Sequence, residues 1–145
     1  MTKRDHWNAV YDKKGSEAVS WYRPHLNLSL EFIERSRVPL DAAILDVGGG
    51  ASTLVDDLVS RGFTRVSVLD LSASAIDIAR ERLGPRADGV RWIVGDVTQV
   101  ALEPGAYDLW HDRAVFHFLR EADERRRYVQ QVLRALKPGG YAIVA

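Results

Sequence analysis

Short apolar runs alternate with helical patterns of apolar residues along most of the chain. Five runs have the length and composition of buried strands, and they lie at residues 42–47, 66–69, 90–94, 107–110 and 141–145. Helical spacing falls between them, as in the stretch that carries Leu54, Val55, Leu58 and Val59. Such alternation is typical of βαβ units. The pattern predicts an α/β fold with a doubly wound, mainly parallel sheet.

Local signals predict where the helices of this sheet begin and end. Ser72 is placed to cap the helix that follows the second strand, and Gly84 is placed to end it. The last helix is predicted over residues 124–136, where the Lys-Pro-Gly-Gly sequence at 137–140 stops it.

The first 40 residues lie outside this alternation. We interpret residues 1–40 as a helical cap, with helices at 5–11 and 27–37, on a binding domain of residues 41–145. The cap carries four large aromatic residues, which are Trp7, Tyr11, Trp21 and Tyr22. These rings either fasten the cap to the sheet or cover a ligand, and the residues leave both roles open. We assign Trp21 and Tyr22 to ligand binding as a hypothesis.

Composition excludes several classes of protein. Twenty basic and twenty acidic residues give the 145-residue chain a formal charge of zero, so nothing in the total charge favours nucleic acid or an anionic membrane. The chain has no cysteine, which excludes disulfides and thiolate metal sites, and we predict no metal. No apolar run approaches the ~20 residues of a spanning helix. We expect a cytoplasmic protein with no membrane segment.

Three consecutive glycines follow the first strand. Ligands in doubly wound sheets bind beyond the carboxyl ends of the strands, and Gly48, Gly49 and Gly50 would let the backbone approach such a ligand closely. Asp70 ends the second strand about twenty residues later, where a carboxylate can accept hydrogen bonds from both ribose hydroxyls. The alternative is that Asp70 only caps the next helix. Together these residues favour a cofactor that contains adenosine.

Two other nucleotide signatures are incomplete or missing. The dinucleotide fingerprint G-x-G-x-x-G has Thr53 in place of its third glycine. The chain also has no G-x-x-x-x-G-K-[ST] loop that would hold a triphosphate. The sequence therefore argues against a nucleotide hydrolase and gives a nicotinamide cofactor only weak support.

Five segments resemble, in order, the motifs of class I methyltransferases. They are ILDVGGGAS at 44–52, LDLS at 69–72, GDV at 95–97, YDLWHDR at 107–113 and LKPGGYAIV at 136–144. The resemblance extends from about residue 42 to the last residue, and residues 7–25 resemble small bacterial proteins of the broad methyltransferase-domain kind. It implies a Rossmann-like methyltransferase fold with S-adenosyl-L-methionine as cofactor.

The resemblance also implies how each strand end holds the cofactor. The three glycines would line its methionine part, and Asp46 would help to place the amino group. Asp70 would hold the ribose, and Leu71 would pack on the adenine. Asp96 would accept a hydrogen bond from the adenine amino group, beside the backbone of Val97. From the residues alone, Asp96 has the alternative role of capping a turn.

The resemblance makes His111, at the end of the fourth strand, the predicted catalytic residue. It would also bind the cofactor, beside the sulfonium and near the mouth where the acceptor enters. An amine or phenol acceptor would benefit from such a proton acceptor, whereas a thiol can react as its anion. His117 is a second candidate for this base, but it lies in an apolar stretch, so we favour a packed, hydrogen-bonded side chain. Asp112 and Arg113 are expected to pair or to cap the next helix.

We predict an S-adenosylmethionine-dependent methyltransferase that acts on a small molecule or a protein side chain by in-line transfer. A module that binds the cofactor without turning it over is the alternative. A nicotinamide-dependent oxidoreductase is less favoured, because it leaves the GDV and LKPGG segments unexplained. Family members continue past the fifth strand, so we expect a truncated fold. Its open sheet edge would favour a homodimer.

Overall fold

A computed structural model of the protein describes residues 3–6, 8, 25–50 and 52–145. Its strands are β1 (Ala43–Val47), β2 (Arg65–Asp70), β3 (Arg91–Val94), β4 (Tyr107–Asp112) and β5 (Leu136–Val144). Its helices are α1 (Asn27–Ser36), α2 (Leu54–Ser60), α3 (Ala73–Leu83) and α4 (Ala122–Ala135), with 3-10 turns at Gly84–Gly89 and Phe116–Phe118. Residues 3–6 and 8 are also helical.

The five strands form one parallel sheet in the order β3-β2-β1-β4-β5. The chain winds outward from β1 to β3 and then crosses back to place β4 on the other side of β1. The winding direction therefore switches between β1 and β4, and ligands of doubly wound sheets bind beyond the strand ends at such a point. The predicted α/β class and the doubly wound parallel sheet are confirmed.

Helices cover both faces of the sheet, and β1 is buried along its whole length. Ile44 packs with Leu30 of α1 and Leu58 of α2 on one face. Leu45 packs with Tyr128 of α4 on the opposite face. Because successive strand residues point to opposite faces, the continuous apolar run of β1 meets the requirement for a strand that is covered on both sides.

The predicted helix signals act where the sequence places them. Ser72 caps α3, since its Oγ accepts a hydrogen bond from the Ala75 N–H at 3.1 Å. Gly84 ends α3 with φ of +59°, a conformation that glycine adopts without strain. The predicted helix at 27–37 is confirmed with its end one residue earlier.

The predicted start of the last strand is wrong. We expected a turn at residues 137–140 and a strand from 141, but α4 ends at Ala135 and β5 begins at Leu136. The Lys-Pro-Gly-Gly sequence bends the chain inside the strand instead of before it.

A bulge accommodates this bend. Tyr107 of β4 pairs with Leu136 of β5, and Leu109 pairs with Tyr141. An advance of two residues along β4 therefore lies opposite an advance of five residues along β5. The extra residues include Gly139, whose φ is +81°. A β-bulge of this kind uses glycine for the left-handed position that other residues rarely adopt.

A buried polar cluster fixes the turn after β4. The Asp112 carboxylate accepts hydrogen bonds from the backbone N–H groups of residues 114–116 at 2.7 to 2.9 Å, which confirms the expected capping role. The Tyr128 hydroxyl of α4 donates to Asp112 at 2.5 Å and accepts from the Trp110 indole at 3.0 Å. Burial and the Asp112 carboxylate raise the pKa of Tyr128, so its hydroxyl keeps the proton that it donates.

Tyr128→Phe is expected to lower the free energy of unfolding by about 1–3 kcal/mol, because Asp112 loses a donor and the Trp110 indole loses its acceptor. Urea unfolding measures the change. Tyr141→Phe is the matched control, since Tyr141 is about half exposed at 48%. Equal unfolding midpoints for the two variants would contradict the importance of this cluster.

Candidate functional site

The switch point brings most of the predicted site residues to one edge of the sheet. Asp46 of β1 lies directly opposite His111 of β4 in the parallel pairing. The glycine turn follows β1, and Asp70 ends the neighbouring strand β2. Residues that are far apart in the sequence therefore surround the carboxyl end of β1.

Each glycine of the turn is required by its surroundings. Gly48 has φ of +72°, and a Cβ there would lie 2.2 Å from Cγ2 of Val115. A Cβ on Gly49 would lie 2.1 Å from Oδ2 of Asp46. A Cβ on Gly50 would come within 2.8 Å of a methyl group of α3. The turn thus combines a left-handed residue with close approaches at all three positions, which only glycine permits.

The Asp46 carboxylate is buried, and one of its two oxygens has a hydrogen-bond partner among the described residues. Its Oδ1 lies 2.8 Å from Nδ1 of His111. Its Oδ2 has no hydrogen-bond partner among the described residues and faces Gly49. A buried carboxylate oxygen without a donor is unfavourable, so this position suits a ligand that brings an N–H donor and a positive charge.

His111 is itself buried, with 1% of its surface exposed. Its Nε2 lies 2.8 Å from Oγ of Ser29 in α1, so both ring nitrogens have partners. Sequence reasoning missed Ser29, because nothing in its helical surroundings distinguishes it from an ordinary buried serine. The role of His111 as a proton acceptor stays a prediction.

Asp70 fills two roles at the end of β2. Its Oδ2 accepts from the Gly50 N–H at 3.0 Å, and its Oδ1 accepts from the Ser72 N–H at 2.8 Å. It therefore holds the glycine turn and also the backbone of Ser72, the residue that caps α3. Burial raises the pKa of Asp70 to about 6, with a smaller contribution from nearby Asp46, although the backbone hydrogen bonds oppose the shift. Each oxygen retains a lone pair that can accept from a ribose hydroxyl.

Two N-terminal helical residues, Arg4 and Asn8, lie beside the end of β2 and the start of α3. Nε of Arg4 donates to the carbonyl of half-buried Leu71 at 3.3 Å. The Ser72 hydroxyl donates to Oδ1 of Asn8 at 2.5 Å. Trp21 and Tyr22 lie outside the described residues, so their assignment to the cofactor stays a prediction.

The loop after β3 contains the two residues that were assigned to the adenine. Oδ1 of Asp96 accepts from the backbone N–H of Thr98 at 2.9 Å and from its hydroxyl at 2.7 Å, which is the alternative turn-capping role. Val97 is buried, and its carbonyl accepts from the Gln131 amide at 2.9 Å. Contact of either residue with the adenine stays a prediction.

The expectation that His117 is packed is wrong. It lies exposed on the 3-10 turn Phe116–Phe118, with its ring centre 4.3 Å from that of Phe118. Leu119 of this apolar stretch is buried in the core, and Val115 and Phe116 pack against it, whereas the tight turn directs His117 outward.

A glycine turn between two buried carboxylates, at the switch point of a doubly wound sheet, defines a binding domain for an adenosine-containing ligand that carries a positive charge. The family model described as "Methyltransferase domain" matches residues 44–140 of the chain. The chain therefore belongs to the class I S-adenosylmethionine-dependent methyltransferases, and S-adenosyl-L-methionine is the cofactor of that family.

Known proteins support this membership. The human protein "EEF1A lysine methyltransferase 2" is 23% identical over 97% of this chain and 66% of its own length. "Nodulation protein S" of Rhizobium tropici is 33% identical over 70% of this chain and 42% of its own. The fold of a Haemonchus contortus phosphoethanolamine N-methyltransferase 2, solved with S-adenosyl-L-methionine, matches with a TM-score of 0.80 at 22% identity, over 99% of this chain and 35% of that one. The chain thus spans about two thirds or less of these proteins.

The residues present fit the family's cofactor. S-adenosylmethionine carries an ammonium group, which matches the charge and donor requirement of Asp46 Oδ2. It also carries a ribose, which matches the two oxygens of Asp70. The close approach of Gly49 to Asp46 leaves no side chain between the backbone turn and these carboxylates.

Gly49→Ala is expected to weaken binding of S-adenosylhomocysteine by about ten- to hundredfold, the equivalent of one charge-assisted hydrogen bond of about 1.5–3 kcal/mol. The new Cβ would displace the Asp46 carboxylate that it meets at 2.1 Å. Isothermal calorimetry measures the affinity. Gly89→Ala is the matched control, because nothing lies within 4 Å of a Cβ there. If both variants bind like the parent protein, the glycine turn does not serve this ligand.

Affinity for S-adenosylhomocysteine is expected to fall as the pH drops below about 6, approaching tenfold for each pH unit. Protonation of Asp70 removes the ionised acceptor that the ribose hydroxyls need. Calorimetry from about one pH unit below this pKa to about two pH units above it measures the effect. Asp70→Asn should bind weakly and lose most of this dependence, and an equally steep profile in that variant would refute the assignment.

The same pKa shift has the opposite sign for stability. The pKa of Asp70 in the folded protein, about 6, lies above its ordinary value of 3.8. Its contribution to the free energy of unfolding is therefore complete below the ordinary value and is lost as the pH rises through about 6. Asp70 thus favours the fold at acidic pH, whereas its predicted contact with the ribose would favour the cofactor at neutral pH.

Proposed function

We propose that this domain binds S-adenosylmethionine at the end of β1 and transfers its methyl group to a nitrogen, with a protein lysine as the first acceptor class. Asp46 Oδ2, which has no hydrogen-bond partner within the described part of the chain and faces the glycine turn, carries the proposal. Names of several curated relatives, such as the human "EEF1A lysine methyltransferase 2", support a lysine. A small amine is the second class, supported by the fold shared with the phosphoethanolamine enzyme.

Different residues around the glycine turn would bind different parts of the cofactor. Asp46 would place the ammonium group, and Asp70 would hold the ribose. When bound, the cofactor supplies a methyl group on a sulfonium sulfur, which becomes a neutral thioether as the acceptor's electron pair forms the new bond. The turn that Asp112 fixes brings Val115 over Gly48 and ends at exposed His117. We infer that the acceptor approaches along this turn.

Two other functions compete with this proposal. A module that binds the cofactor without turnover would use the same carboxylates, so only an assay of product separates the two. A nicotinamide-dependent oxidoreductase would also use Asp70. It is disfavoured because buried Thr53 stands where the dinucleotide fingerprint has its third glycine.

We also propose a homodimer through β5, an edge strand of this sheet, and a cytoplasmic location. The edge position of β5 and its exposed Tyr141 and Val144 support pairing with a second copy. Within the described ranges, no helix combines the length and the apolar character that crossing a membrane requires.

The proposal is tested by incubating the protein with methyl-labelled S-adenosylmethionine and two sets of acceptors. The first is elongation factor 1A, the protein in the names of several relatives, and the second is a panel of small amines, thiols, phenols and carboxylates. Mass spectrometry measures S-adenosylhomocysteine and the methylated acceptor. We expect turnover with a nitrogen acceptor, and Asp70→Ala should lose it together with about one to two powers of ten in cofactor affinity.

The possible results of this assay distinguish the two acceptor classes and the two competing functions. Methylation of the protein lysine supports the first acceptor class, and methylation of a small amine supports the second. Cofactor binding without turnover on any acceptor identifies the non-catalytic module. Binding of NADH but not of S-adenosylmethionine refutes the proposal altogether.

A further inference from the structure

Three side chains from three different elements form a buried hydrogen-bonded chain. Oγ of Ser29 in α1 lies 2.8 Å from Nε2 of His111 in β4, and Nδ1 of His111 lies 2.8 Å from Oδ1 of Asp46 in β1. Their exposed fractions are 7%, 1% and 2%. This hydrogen-bonded chain therefore runs from α1 to the carboxylate beside the glycine turn.

The proton positions in this chain follow from the chemistry of its groups. An ionised carboxylate only accepts hydrogen bonds, so Nδ1 of His111 carries the proton that faces Asp46. In the neutral ring Nε2 then has a lone pair, and the Ser29 hydroxyl donates to it. The partner at one ring nitrogen thereby fixes the tautomer and the orientation of the whole ring.

This arrangement satisfies only one oxygen of the Asp46 carboxylate among the described residues. A purely structural histidine–aspartate pair would gain from partners at both carboxylate oxygens, yet Oδ2 has none among the described residues. One oxygen is held in place while the other is presented to the turn. The hydrogen-bonded chain fixes the carboxylate for an incoming donor instead of satisfying it.

We propose that Ser29 and His111 are positioning residues that orient Asp46, so that its Oδ2 receives the ammonium group of S-adenosylmethionine. This inference rests on the proposed function. It also makes α1 a part of the cofactor site, because Leu30 and Ile33 pack that helix into the core and hold Ser29 in place.

The experiment compares two ligands that differ in the amino-acid part. S-adenosylhomocysteine carries the ammonium group, whereas 5′-methylthioadenosine has the same nucleoside without it. Calorimetry with both ligands is carried out on Ser29→Ala, His111→Leu and His111→Asn. Ser36→Ala is the matched control, since the Ser36 hydroxyl donates to the Ile33 carbonyl of its own helix at 2.5 Å.

The expected losses apply to S-adenosylhomocysteine alone. His111→Leu removes the donor to Asp46 and should weaken binding by about ten- to hundredfold. Ser29→Ala should weaken it by about two- to tenfold, and His111→Asn, whose amide can replace Nδ1, by a similar amount. Ser36→Ala should bind both ligands like the parent protein, and 5′-methylthioadenosine should bind all variants alike.

A second measurement needs no ligand. Nitrogen NMR of ¹⁵N-histidine-labelled protein should show a protonated Nδ1 and an unprotonated Nε2 for His111, and Ser29→Ala should change the Nε2 signal. Equal losses for both ligands, no loss for S-adenosylhomocysteine, or the opposite tautomer would each overturn the inference. If the parent protein binds 5′-methylthioadenosine as tightly as S-adenosylhomocysteine, the inference fails together with the assignment of the ammonium group to Asp46, whereas methyl transfer itself is still decided by the product assay. If it binds neither ligand, both fail.

Discussion

A carboxylate buried in the central strand is the constraint on which the site depends. Asp46 lies in β1, which is covered on both faces, and a charge in such a place needs a partner. The register between β1 and β4 supplies one by setting His111 directly opposite. Because this pairing is also the switch point of the sheet, the fold and the proposed cofactor site share the same few contacts.

Consecutive residues of β4 serve opposite faces of the sheet. His111 points to the face of α1 and contacts Asp46, whereas Asp112 points to the face of α4 and contacts Tyr128. The first pair lies in the proposed cofactor site, and the second fixes the turn that places Val115 beside Gly48. Alternation along a strand thus lets two adjacent polar residues do unrelated tasks.

The sequence predicts those features that depend on local pattern. The strands, the Ser72 cap and the turn at Gly48 follow from apolar spacing, capping chemistry and the freedom of glycine. The contact of Ser29 with His111 could not be predicted, because it joins residues 82 positions apart through the packing of a helix. The start of β5 was missed because Lys-Pro-Gly-Gly signals a turn equally well before a strand and inside one.

The charge of the site favours a cationic ligand over a neutral one. Asp46 contributes to the raised pKa of Asp70, so the two carboxylates repel each other, although the whole chain has a formal charge of zero. Under the proposed function, the methyl donor enters with a sulfonium charge that its product has lost. The carboxylates therefore attract the donor more strongly than the product, since buried charges interact through a low effective dielectric. Without a ligand, the repulsion between the two carboxylates disfavours the state in which both are ionised. A donor with more positive charge than its product relieves more of this repulsion, which favours exchange of product for donor.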